Sequence, residues 1–186
     1  MHLTVRSVAG SRRAVTKGIS MIRLTAGASL VAAASFAMLS GCASMPDVTK
    51  PDLLSFGASL EDVQNSLGPV CTSMDVRTFD PPAIPADLHQ QIDCEGFDYF
   101  GAPRLAEFVF IDDALVLTWI LVREEELPAL EAAFRDEFGE PTHTRDDIVA
   151  FTDDRAAVRY DTPEALYYAE SVAPLVEMRF SAPPEE

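Results

Sequence analysis

The sequence predicts an α+β domain, an antiparallel sheet with two helices packed on one face. Three observations carry that expectation. Two amphipathic stretches at helical spacing each end at a Gly/Pro stop. Each is followed by short runs rich in β-favouring residues, punctuated by turn residues. Residues 53–180 also have the length of one domain with one core. Both halves read as a helix, a stop and then a meander of strands, so two tandem half-repeats are expected.

Ser59 is a good N-cap, and Asp62 three residues on completes a capping-box pattern. Leu60, Val63 and Leu67 fall on one helical face, and Gly68-Pro69 ends the helix. Asp75 to Phe79 then predicts a short strand, closed by the loop Pro81-Pro82-Ala83-Ile84-Pro85. Phe97–Phe100 and Leu105–Ile111 predict strands separated by Gly101-Ala102-Pro103. Ala114–Val122 is another, and Leu105–Val122 reads as a hairpin.

A second helix is expected from Glu125 to Phe138, with Leu127, Leu130, Phe134 and Phe138 on one face. Glu124-Glu125-Glu126 suits its N-terminus, and Pro128 fits only its first turn. Gly139-Glu140-Pro141 ends it. Further strands are expected at Ile148–Thr152, Ala156–Tyr160, Ala165–Glu170 and Leu175–Phe180. The last rests on Val176, Met178 and Phe180 alternating with Glu177 and Arg179.

The run Ala114–Val122 is nearly uninterrupted in its hydrophobicity, where a half-exposed strand would alternate. A central strand covered on both faces explains this. The alternative is an apolar sheet face centred on Trp119 that docks a partner or ligand.

Other candidates are weaker. Asp112-Asp113, Asp146-Asp147 and Asp153-Asp154 could serve as acid/base or calcium ligands, but the first and third sit at expected hairpin tips, where Asp bonds the local backbone. His143 lies in a polar segment that reads as a solvated loop. No His-Glu-x-x-His, Gly-x-Ser-x-Gly, phosphate loop or dinucleotide fingerprint occurs. No catalytic residue, cofactor or metal is therefore assigned, and the expectation is a protein that is not an enzyme.

The segment 1–41 carries Arg6, Arg12, Arg13, Lys17 and Arg23 and no acidic side chain. The formal charge of −16 for the whole chain thus becomes −21 for the segment 42–186. So acidic a surface repels phosphate backbones, and nucleic acid is excluded as a partner. Cys71 and Cys94 are the two cysteines after Cys42. In an exported protein an even pair reads as a disulfide. Free thiols, or a metal held by Cys71, His89 and Cys94, are the alternatives.

The apolar run from Leu24 to Leu39 is too short for a comfortable span of ~20 residues. With basic residues before it and small residues after it, it reads as a secretory signal. Leu39-Ser40-Gly41-Cys42 resembles the lipobox of bacterial lipoproteins, in which a small-residue pair precedes a cysteine that receives a diacylglyceryl group. The resemblance implies cleavage before Cys42 and two or three acyl chains on it, enough for a stable anchor. Ala43, where an aspartate would favour inner-membrane retention, leans towards the outer membrane facing the periplasm. Met21 would begin a leader of ordinary length and is the expected true start. The organisation expected is a signal peptide at 1–41, a tether at 42–52, one domain at 53–180 and a loose tail at 181–186.

Gly57-Ala58-Ser59, Val63 and Leu67-Gly68-Pro69 are similar to a short motif of the SmpA/OmlA family of small outer-membrane lipoproteins. The similarity is confined to this short stretch, and Pro69 follows Gly68 directly where the family usually has one residue between. It implies a two-helix, three-strand kind of module and a place in envelope assembly. No binding residue is carried over. The function expected is a membrane-anchored, non-catalytic interaction or assembly module with an envelope protein partner. The alternative is an inhibitor or ligand-binding lipoprotein.

Overall fold

A computed structural model describes residues 46–181. The expected signal peptide, Cys42 and the expected tail beyond Ser181 lie outside the described residues. Within them the chain is α+β, with three helices and an eight-stranded antiparallel sheet.

Helix α1 spans Leu60–Leu67. The Ser59 hydroxyl accepts from the Asp62 amide at 3.2 Å and donates to the Asp62 carboxylate at 2.8 Å. The cap thus pairs side chain with backbone at the first turn. Val63 and Leu67 are buried, and Gly68 ends the helix. Strands β1 (Ser73–Thr78), β2 (His89–Tyr99), β3 (Ala102–Ile111) and β4 (Ala114–Leu121) follow as a meander. A 3-10 turn at Glu124–Glu126 leads into α2 (Leu127–Phe138), with Pro128 in its first turn. Then come β5 (His143–Thr144), β6 (Ile148–Phe151), β7 (Ala156–Arg159) and β8 (Glu164–Tyr168), and finally α3 (Ala173–Ser181). The sheet order is β1-β2-β3-β4-β8-β7-β6-β5.

Alternation along the strands divides the core in two. On β8, Ala165 and Tyr167 join a cluster that also contains Val63 and Leu67 of α1 and Leu130 and Phe134 of α2. Leu166 and Tyr168 join a second cluster with Leu117, Ile148 and Phe180, against which Trp119 and Val176 pack. The hydrophobic run of β4 is thus buried on both faces from Leu115 to Thr118 and again at Ile120, while Trp119 is only half-buried.

Several expectations are corrected. Leu175–Phe180 belongs to helix α3, not to a strand. Val172, Val176 and Phe180 recur every four residues and make the stripe that packs on the sheet, while Met178 is exposed. Most of the strand expected at Phe97–Phe100 is the end of the much longer β2, and Phe100 itself lies in the turn at positive φ. The first half of β2 was hidden because Gln91 and Asp93 alternate with only two apolar residues, Ile92 and Cys94. The expected tether is also shorter. Val48 is 3% exposed and sits in the first core cluster, so residues from Val48 onward belong to the domain.

Cys71 and Cys94 form a disulfide, with their Cα atoms 5.4 Å apart. It fastens the segment after α1 to the middle of β2, beside the bulge at Gly96. Gly96 has a φ of +84°, and a Cβ there would stand 2.8 Å from the Thr72 side chain. Only glycine fits both demands. Asp112 and Asp113 form the β3–β4 tip, both at positive φ. Their carboxylates do more than close the turn. Asp112 accepts from the amides of Asp87 and Leu88, and Asp113 accepts from the Leu60 amide at the start of α1.

Candidate functional site

Trp119 lies on the sheet face away from the first core cluster, opposite Glu107 of β3 and Leu166 of β8. Beside it a groove of about 910 Å³ runs between the sheet and α3. Leu117, Trp119, Ile148 and Leu166 form the floor, Val176 and Phe180 one wall, and Ile84 of the proline-rich loop contributes at another side. Sequence reasoning singled out Trp119, named Asp146-Asp147 only as possible acid/base or calcium ligands, and missed the rest. Ile84 comes from a loop, and α3 was expected as a strand, so neither wall was legible.

The charged rim has a repeated local origin. Arg145-Asp146-Asp147 and Arg159-Tyr160-Asp161 both place an arginine two residues before an aspartate at the end of a strand. Each pair closes by two hydrogen bonds. Arg159 reaches Asp161 at 3.0 and 2.7 Å, and Arg145 reaches Asp147 at 2.9 and 2.6 Å. Planar bidentate contacts of this kind are the strong form of ion pair. The arginines hold both aspartates below the usual carboxylate range. This repeat of Arg-x-Asp was the available signal for the rim.

Arg159 also fixes the tryptophan. Its guanidinium lies 5.0 Å from the Trp119 ring centre, within cation–π range. It donates to Glu164 at 2.7 Å as well. Glu164 is buried, and burial pushes its carboxyl up to about 7, against the pull of Arg159 and helped by the nearby Glu107 and Asp161 charges. At the far wall Arg145 donates to the Arg179 carbonyl at 3.3 Å, and the Tyr168 hydroxyl donates to Glu177 at 3.1 Å. Helix α3 is thereby tied to the sheet by its backbone and its polar face.

Of the other sequence candidates, Asp146 and Asp147 line the groove, and the rest are absent from its lining. The Cys71–Cys94 bridge lies in the first core cluster and occupies both thiols. His89 is buried against the Phe79 ring, with centroids 4.4 Å apart, and accepts from the Ala83 amide through Nδ1 at 3.2 Å. Burial lowers its basicity. His143 is on the short strand β5 and not in a loop, with its ring 6.4 Å from Phe180. Asp153 and Asp154 sit in a 3-10 turn ahead of Arg155, which adopts the left-handed conformation. Among the described residues no three His, Cys, Asp or Glu side chains converge as metal ligands, and no helix is long and apolar enough to cross a membrane.

The residues lining the groove include no Ser, Cys or His. What the arrangement offers is apolar surface with an indole floor, bordered by two guanidinium–carboxylate pairs and by the exposed Asp146 and Arg179. Such a site recognises by burial and shape. No protein-family model, curated protein or solved structure matches the chain.

Proposed function

We propose that this chain is a lipid-anchored bacterial envelope protein, held in the outer membrane through Cys42 and facing the periplasm. It acts as a non-catalytic interaction or assembly module whose docking site is the Trp119 groove. The occupant is an extended segment of an envelope protein that inserts apolar side chains over Trp119. The reading is supported by the basic leader and lipobox-like Leu39–Cys42, and by the similarity of the Gly57–Pro69 segment to SmpA/OmlA lipoproteins.

One observation carries the docking site. Trp119 is the half-exposed residue between buried neighbours in the central strand, at the floor of a groove whose rim carries the Arg145–Asp147 and Arg159–Asp161 pairs. Tryptophan and arginine in such surroundings are the residue types that dominate protein interfaces. The paired arginines and aspartates ask no compensating charge from the partner, while the exposed Asp146 and Arg179 on the same rim offer it one charge of each sign.

The fold is read in finer detail in the same way. Two halves, each a helix followed by four strands, joined through β4 and β8, would give a sheet order of β1-β2-β3-β4-β8-β7-β6-β5. The shared cluster of Val63, Leu67, Leu130 and Phe134 supports both helices lying on one face.

The groove volume of about 910 Å³ favours a ligand-binding lipoprotein as the second reading. Clefts of that size commonly hold small molecules. One experiment separates the two. Trp119 is the only tryptophan in the chain, so its fluorescence is unambiguous. Quenching by a neutral solute should be substantial in the isolated domain and fall when the protein sits in its native envelope. Shielding restored by a small-molecule extract alone would favour the ligand reading. A Trp119 as inaccessible in the isolated domain as a core residue would remove both.

A further inference from the structure

We infer that the domain stands on the bilayer by the pole that carries Val48 and the β2–β3 turn, with the β3–β4 turn pointing away. The inference rests on the acylation of Cys42 proposed above. It starts from how firmly the chain is seated just after the anchor. The Tyr167 hydroxyl donates to the Val48 carbonyl, and the Tyr99 hydroxyl donates to Tyr167 at 2.7 Å. Burial raises both phenols, so this relay keeps its protons at any ordinary pH. Ahead of it, Asp47 accepts from the Thr49 amide at 2.8 Å and the Thr49 hydroxyl at 2.6 Å. Behind it, the Lys50 ammonium lies 5.0 Å from the Phe56 ring centre, and Leu54 is 1% exposed. No slack is left between Val48 and α1.

The short stretch from Cys42 to Asp47 reaches only ~18 Å when fully extended. Tyr99 places Val48 near the β2–β3 turn. The chain then crosses to the other end of the sheet, where Gly57 and Ala58 pair with Leu115 beside the β3–β4 turn. Strand β3 runs from one turn to the other. At the usual rise of a strand it spans ~33 Å. So short a tether cannot hold the domain upright on its far pole, because Val48 would then stand ~33 Å above the head groups. The cleft of about 560 Å³ between Asp47–Asp52 and Asp98–Ala102 therefore lies on the membrane side. The Trp119 groove opens sideways, towards partners that move in or along the same membrane.

The test uses the acylated full-length protein reconstituted in phospholipid vesicles that carry an acceptor dye on the head groups. A donor fluorophore is introduced as an unnatural amino acid at Asp98, beside the β2–β3 turn, or at Asp87, beside the β3–β4 turn. Both side chains are exposed. Energy transfer from position 98 should exceed that from position 87 several-fold. A long Gly/Ser linker inserted between Met45 and Pro46 should erase the difference. Equal or reversed transfer in protein shown by mass spectrometry to be acylated would overturn the inference, as would a bias that survives the linker. A protein with no acyl group on Cys42 would remove the anchoring reading instead, and the inference with it.

Discussion

Arg104 holds Glu126 by two hydrogen bonds, at 2.6 and 3.0 Å, and so fastens the β2–β3 hairpin to the start of α2. The Arg104 side chain is 6% exposed and also donates to the carbonyls of Tyr99 and Phe100, so all three of its nitrogens are engaged. Glu126 in turn accepts from the Arg123 amide and side chain. A turn with two positive-φ residues, Phe100 and Gly101, is thereby locked to a helix that begins well beyond it in the chain.

Glu126→Gln is expected to destabilise the domain by about 3 kcal/mol at neutral pH, because it leaves a buried guanidinium without its counter-charge. Arg104 holds the Glu126 carboxyl down at about 2 in the folded protein, with Arg123 assisting. Its contribution is complete above the ordinary carboxyl value and is lost as pH falls through about 2. Denaturant unfolding followed from neutral pH into acid should show the gap between variant and wild type closing. A gap that stays constant would mean that the pair does not act through charge.

The Cys71–Cys94 bridge should resist thiol labelling in native protein and appear as a linked peptide in non-reducing mapping. The bridge closes a loop with a sequence separation of 23. Its removal by Cys71→Ser with Cys94→Ser should cost about 3 kcal/mol in the chain-entropy model. Quantitative labelling of both thiols without reductant would refute the bridge.

Glu164 should leave the opposite pH signature to Glu126. Burial raises its folded carboxyl value to about 7, well above its unfolded value. Between those values the unfolded chain is ionised while the native side chain keeps its proton, so stability falls as pH rises through this window. Glu164→Gln should flatten that decline between about pH 4.5 and about pH 7. Unchanged slopes would show that Glu164 is ionised in the native state throughout.

Cys42 should carry acyl chains in protein extracted from membranes, read directly by mass spectrometry of the N-terminal peptide. Cys42→Ala should appear in the soluble fraction with the unfolding midpoint of the wild-type domain. An unmodified Cys42 in membrane-extracted protein would sink the lipoprotein reading.

The caps, stops and turn residues made much of the fold legible. Ser59 and Asp62, Gly68 and Pro128 act through their own backbone or the next turn, so their meaning survives without knowledge of the rest of the chain; Asp112-Asp113 mark the hairpin tip in the same way, but their carboxylates serve distant amides. Periodicity did as well where both the apolar and polar positions were well populated, as in Leu127–Phe138. It failed at Val176–Phe180, where Val176 and Phe180 fit both a period of two with Met178 and a stripe every four with Val172. There the sheet decided, because a helix at that place buries Phe180 against Tyr168, with ring centres 6.2 Å apart.

The sequence alone determined the α+β class, most element boundaries, the acidic character and the choice of Trp119, since each depends on close neighbours along the chain or on a simple count. The tertiary structure alone decided what surrounds Trp119. Ile84, Arg145, Arg159 and Phe180 lie far apart along the chain, and they meet because β8 pairs with β4 and α3 folds back over that junction. It also decided that Val48 belongs to the core. A lone valine between an aspartate and a threonine carries no periodic signal, and only the seat formed with Tyr167 and Tyr99 makes its burial favourable.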